Sequence, residues 1–113
     1  MQIGSVSNVV TQALDGLTLR QQVIAQNIAN LNTPGYTPLR VDFESALQGM
    51  EGAGPRILPD TRMTPTGSPS GAAAELSRQV SQLADTALRY QTLIKGINKQ
   101  LAIMQLVVSD GRR

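Results

Sequence analysis

From Leu76 to Val108 the apolar residues fall at alternating spacings of four and three without a break: Leu76, Val80, Leu83, Ala87, Tyr90, Ile94, Ile97, Leu101, Met104 and Val108. A repeat averaging 3.5 residues lays a stripe along an α-helix and is incompatible with a strand, whose side chains alternate every second residue. Sustained over more than four heptads, it predicts a long amphipathic helix of the kind that pairs as a coiled coil. Arg78, Gln82, Asp85, Arg89, Lys95, Lys99 and Gln100 stand between the stripe positions as the solvated faces. Ser68-Pro69 or Ser70 suits the helix start, with Glu75 in the early turns, and Ser109-Asp110-Gly111 suits its end. Some 38 helical residues would reach roughly 57 Å, too long for a small globule to contain.

The N-terminal segment repeats the pattern with one interruption. Val6, Val10, Ala13, Leu17 and Ile24 keep the alternation, Arg20 breaks it, and Ile28 and Leu31 resume it after a stutter of four. Gly16 costs a helix interior up to about 1 kcal/mol against Ala, so a helix bent near Asp15-Gly16 is expected. Between the two helical ends lies a different chain. All six prolines fall between Pro34 and Pro69, and residues 48–71 hold five glycines and four prolines. That density excludes a continuous helix or a central strand. The chain thus divides into an N-terminal assembly helix (1–32), a turn, short extended segment and Pro/Gly-rich linker (33–71), and a C-terminal coiled-coil helix (72–113). The expected fold class is mainly α, two long amphipathic helices packed as a coiled coil and joined by a middle with little regular structure.

Two helices bury little surface for a chain of 113 residues with a single Phe, two Tyr and no Trp. Leu88, Leu93, Ile103, Leu106 and Val107 add apolar positions outside the stripe, more coverage than one partner helix needs. A helix-rich oligomer or polymer is expected rather than a free-standing hairpin.

Composition also removes whole classes of chemistry. The chain has no Cys and no His, the commonest nucleophile-and-metal pair, so catalytic, cofactor and metal sites are all expected to be none. Asp42 and Glu44 are spaced as one face of a strand, and GMEGAG lacks the strand and Lys-Ser/Thr of a phosphate loop. Charge is spread thinly: residues 1–32 are neutral, 33–75 carry −2 and 76–113 carry +4, with no run of one sign. Such cations decorate a helix face and its C-terminal end, so neither nucleic acid nor direct lipid binding is expected. MQIGSVSNVV has neither a basic start nor a continuous apolar core, so no cleaved signal peptide is expected.

The densest local signal is NIANLNTPGY, residues 27–36. Asn is a poor helix interior residue, because its amide competes for nearby backbone groups. Ala25 and Ala29 stack one turn apart and let another backbone approach, while Ile28 continues the stripe. Asn27 and Asn30 stand on a neighbouring face where buried amides would fix register, and Asn32 closes the helix end. Thr33-Pro34-Gly35-Tyr36 has the residues of a type II turn, with Gly where φ must be positive. Leu39, Val41 and Phe43 then alternate with Arg40, Asp42 and Glu44 as a short strand. A helical turn through Phe43, Leu47 and Met50 would follow, folding back onto a long helix.

LRQQVIAQNIANLNTPGYTPLRVDFESAL (19–47) resembles the signature of bacterial flagellar axial proteins, and VDFESAL after the turn is similar to the basal-body rod B type. LADTALRYQTLIKGINKQLAIMQLVV (83–108) is similar to the closing helix of that type. Gln26 stands where the family pattern has Asn, and GSPSGAAAEL replaces its polar segment before the last helix. The resemblance implies a structural subunit of the proximal rod, polymerising through its terminal helices into a driveshaft that transmits torque. Its implied partners are copies of itself, other rod subunits, the membrane-ring and export-gate adaptors at the rod base, and the flagellar type III export apparatus. The implied location is the periplasmic rod of the basal body. A soluble coiled-coil adaptor binding one helical partner is the alternative; it explains the heptads and leaves the NTPGY turn and the Pro/Gly middle as accidents.

Overall fold

The computed structural model describes residues 3–48, 54–60 and 69–111, and side chains within 8–48, 54–60 and 71–111. Stripe position Val6 lies outside the described side chains, and Met50 and Ser68 lie outside the described residues. Two helices frame the chain: α1, Ile3–Ala29, and α3, Pro69–Gly111. Between them come β1 (Leu39–Asp42), the short α2 (Glu44–Leu47) and β2 (Arg56–Pro59). Pro69 opens α3, where a fixed φ and a missing N–H cost a helix nothing. The 43 residues of α3 run the length of a molecule measuring 68 × 27 × 16 Å.

α1 and α3 lie side by side and antiparallel. Asn27, near the end of α1, meets Gln79, near the start of α3, while Ala13 and Leu17 share an apolar cluster with Tyr90 and Leu93. On α1 the inward residues follow the spacing in the sequence: Ala13, Leu17, Ile24 and Leu31 are buried, and Val10 and Ile28 half-buried. Burying a large aliphatic side chain of this kind contributes about 1.5–3 kcal/mol.

α3 behaves differently from its 4,3 stripe. The buried positions of α3 are Gly71, Glu75, Gln79 and Thr86, and Gln82, Tyr90, Leu93 and Ile97 are half-buried on the same row, a 4,4,3 spacing with an eleven-residue period. Such a period keeps one face of a nearly straight helix against its neighbour, whereas a heptad drifts around it by about 20° per repeat. The inward face of the first half of α3 is therefore polar. Leu76 and Val80, both on the heptad stripe, are 41% and 50% exposed. Leu83, Ala87, Tyr90, Ile94, Ile97 and Met104 are half-buried, and Leu101 and Val108 are exposed. The apolar stripe is not what holds the start of α3 to α1.

β1 and β2 form a two-stranded antiparallel sheet, pairing Leu39 with Pro59, Arg40 with Leu58, Val41 with Ile57 and Asp42 with Arg56. The strand in the Pro/Gly-rich middle went unread in the sequence. Pro59 fits because the backbone groups of Leu39 point away from β2, toward α1, so no N–H is wanted opposite. The ladder is extended by the Asp60 N–H, which donates to the Pro38 carbonyl at 2.9 Å.

The β1–α2 segment folds back onto α1, as expected, and two residues of α1 receive it. Phe43 is 5% exposed and sits directly on Gly16, where a Cβ would come within 2.6 Å of its ring Cδ1. One turn on, the Arg20 guanidinium lies 4.6 Å above the Phe43 ring centre and donates to the Val41 carbonyl at 2.7 Å and to Glu44 Oε1 at 2.5 Å. The helix-weakening glycine and the charge that breaks the N-terminal stripe are thus one docking place. Asp42, at the end of β1, steadies the first turn of α2 by accepting the Ser45 hydroxyl at 2.9 Å and its N–H at 3.3 Å. Those two bonds hold its carboxyl below the usual range.

Candidate functional site

The NTPGY segment takes the turn its residues require. Tyr36 N–H donates to the Thr33 carbonyl at 3.2 Å, and Gly35 has φ 79°, open to Gly at no steric cost. The turn brings Tyr36, Pro38 and Leu39 back across the end of α1, directly over Asn27.

Asn27 is 1% exposed and uses both polar atoms of its amide. Its Nδ2 donates to the Leu39 carbonyl at 2.7 Å and to Gln79 Oε1 at 3.2 Å. Its Oδ1 accepts the Leu39 N–H at 3.0 Å and the Tyr36 hydroxyl at 2.9 Å. Four bonds to three segments make a satisfied buried amide, the arrangement that fixes one register and penalises every other. Burial pushes the Tyr36 phenol upward, which keeps it protonated as a donor.

The network continues along α3. Gln79 Nε2 donates to Glu75 Oε1 at 2.8 Å, and Arg78 reaches the same carboxylate through Nη2 at 2.6 Å and Nε at 3.1 Å. Arg78 Nη1 also lies 2.8 Å from Oδ2 of Asp60, just past the end of β2. Glu75 and Asp60 are 0% and 1% exposed. Hydrogen bonding to Glu75, then to Asp60, outweighs burial and holds the Arg78 guanidinium above its ordinary range. The turn, the sheet and both helices are therefore joined by one chain of polar contacts from Tyr36 to Asp60.

The structure distributes the motif residues unevenly. Asn27 and Tyr36 enter the network, whereas Asn30 bonds the Gln26 carbonyl and Thr33 locally at the surface. Ala25, Ala29, Asn32, Thr33, Pro34 and Gly35 are exposed, and Ile28 is half-buried. Gln79, Glu75, Arg78 and Asp60 were not singled out in the sequence as site residues. Arg78 and Gln82, read from the heptad spacing as solvated, are instead half-buried, because the face of α3 that meets α1 is the polar one.

The second feature is what remains uncovered. Leu88, Leu101, Ile103, Leu106, Val107 and Val108 are between 51% and 66% exposed on α3. The last five crowd within eight residues and point all round the helix. A helix apolar on every side is one that is buried on every side. Among the described residues no group of acidic side chains could hold a metal ion, and no helix is long and apolar enough to cross a membrane. The arrangement fixes the shape of the subunit and leaves apolar surface open to contact.

Comparison with known proteins gives consistent relatives. The profile of the family described as flagella basal body rod protein matches residues 8–37. The chain is 30% identical to flagellar basal body rod protein FlgB of Salmonella typhimurium, over 88% of this chain and 90% of that protein. It is 25% identical to FlgB of Bacillus subtilis over 96% of both. A local stretch of 35 residues, 31% of this chain and 26% of the relative, is 51% identical to FlgB of Borreliella burgdorferi.

Proposed function

The chain belongs to the FlgB family of flagellar basal body rod proteins, and from that premise we propose how it does its work. It is a structural subunit of the basal-body rod. Its terminal helices polymerise with copies of itself and with other rod subunits, so that torque passes along a continuous shaft. The observation that carries this reading is the division of labour on α3. The polar face, Glu75, Gln79 and Thr86, is turned inward and satisfied within the chain, while Val80, Leu88, Leu101 and Leu106 are left in water. Large exposed apolar area of this kind marks protein contact. Contacts between unlike surfaces that do not close generate open helical assemblies.

The small apolar core supports the same reading. Seven hydrophobic residues are buried among the described ones, and four of them are Ala or Val-sized to Leu-sized side chains on α1. A subunit of low independent stability suits passage, largely unfolded, through the flagellar type III apparatus without a cleaved signal peptide. The membrane-ring and export-gate adaptors at the rod base, and a periplasmic location, belong to this proposal.

Deleting the gene and imaging isolated basal bodies tests it. Rods are expected to be missing and to return with the intact gene. Complete rods in the deletion strain would overturn the assignment.

A further inference from the structure

Val80, Ala87, Ile94, Leu101 and Val108 recur every seven residues along α3, and Val80, Leu101 and Val108 are 50%, 51% and 54% exposed. α1 carries a second heptad row: Thr11, Asp15, Thr18, Gln22, Ala25 and Ala29, spaced 4,3,4,3,4 and all exposed. It faces away from the buried Ala13, Leu17 and Ile24. No residue of this row is larger than Gln22, and its one charge is Asp15. The residues that border the α3 row on its solvent side, Ala84, Leu88, Gln91, Lys95, Asn98 and Ala102, also bring one charge, Lys95.

We infer that the aliphatic row of α3 in one copy is covered by the outer row of α1 in a second copy, with Asp15 of one opposite Lys95 of the other. Large side chains on one helix meet Thr and Ala on the other, which lets the helix axes approach. The two rows share a period of seven, so the match can continue along both helices. Packing α3 against α3 would instead set aliphatic against aliphatic and Lys95 toward Lys95. Because the joined surfaces are unlike and sit on different helices, a pair of copies keeps one free row of each kind, and further copies can add at both ends. The inference rests on the rod-subunit reading and specifies which surfaces that reading uses.

The chain has no cysteine, so cross-linking reports single positions cleanly. The full-length D15C/K95C chain, concentrated and treated with a short thiol-reactive cross-linker, is expected to give a ladder of dimers, trimers and longer species. A mixture of the D15C chain and the K95C chain should stop at the dimer. Adding Ala25→Trp to the doubly substituted chain should remove the ladder while leaving its thermal melt unchanged, because Ala25 is exposed in the single subunit. A dimer from the K95C chain alone, in the yield of the mixture, would give the contact to α3 against α3 and overturn the inference. So would the lack of any cross-link in a doubly substituted chain that is recovered from isolated basal bodies. If the chain is absent from basal bodies, the rod-subunit reading fails instead, whatever the ladder shows.

Discussion

The side-chain amide of Asn27 bonds both backbone polar groups of Leu39, donating to its carbonyl at 2.7 Å and accepting its N–H at 3.0 Å. It does for β1 what a neighbouring strand would do, and it does so from a helix. The edge of the sheet that faces α1 is closed by this pair and by Arg20 on the Val41 carbonyl.

Replacing Asn27 by Ala leaves Leu39, Tyr36 and Gln79 short of partners at a site that is 1% exposed. A loss of roughly 3 kcal/mol is expected from urea denaturation followed by circular dichroism. Hydrogen exchange should show the Leu39 amide losing its protection first. Asn27→Asp, equal in shape but without the two donors, is expected to be no milder.

Gly16→Ala tests the docking of Phe43. Helix propensity alone favours Ala by up to about 1 kcal/mol. The Cβ would meet the Phe43 side chain 2.7 Å from its own Cβ, so a net loss of about 1–3 kcal/mol is expected. Combining Gly16→Ala with Phe43→Leu should recover part of that loss, and a thermal-melt double-mutant cycle measures the coupling.

The two arginines of α3 that pair with acids should differ sharply. Arg78→Ala takes the shared cation away from the carboxylates of Glu75 and Asp60, 0% and 1% exposed, and a loss of about 3 kcal/mol is expected. Arg89 and Asp85 form an i,i+4 pair with both side chains 57% exposed, and Arg89→Ala should cost about 0.3–0.5 kcal/mol.

Stability should fall at both ends of the pH range for nameable reasons. The Tyr36 phenol is raised above 10.0 by burial, so as pH climbs past that value the unfolded chain loses its proton first and stability declines. Tyr36→Phe should remove this alkaline decline. Asp42 is lowered below 3.8, chiefly by the Ser45 hydroxyl, so its contribution is complete above that value and fades as pH drops through the folded one. Ser45→Ala should flatten that acid arm, as read from urea midpoints against pH.

Val80→Asp and Leu101→Asp place charges on exposed positions of α3. The isolated subunit is expected to keep its stability within about 0.5 kcal/mol. Motility in a complemented deletion strain should nevertheless be lost, a separation that changes in the inward face would not give.

Periodicity and turn chemistry made much of this architecture readable in advance. The extents of α1 and α3, the Thr33–Tyr36 turn and the β1 strand follow from local rules that act within a few residues. The inward face of α3 did not, because 3.5- and 3.67-residue repeats differ by only about half a residue in three turns, and the apolar count favoured the heptad. The face that meets α1 is instead chosen by Asn27, whose partners lie 12 and 52 residues away. Gly16 reads as a weak point until Phe43 is placed on it. β2 was hidden because Pro55 before it and Pro59 within it argue against a strand, and only the pairing with β1 shows that Pro59 occupies a position with no bond to make.

That pairing has a consequence for how copies can grow. Along β2 the N–H groups directed outward alternate with those bonded to β1, which puts Pro55, Ile57 and Pro59 on the outer edge. Two of the three have no hydrogen to offer, so the margin presents a single donor at Ile57 and a foreign strand finds no ladder to extend. Copies that meet through their helices are thereby steered away from amyloid-like stacking through this sheet.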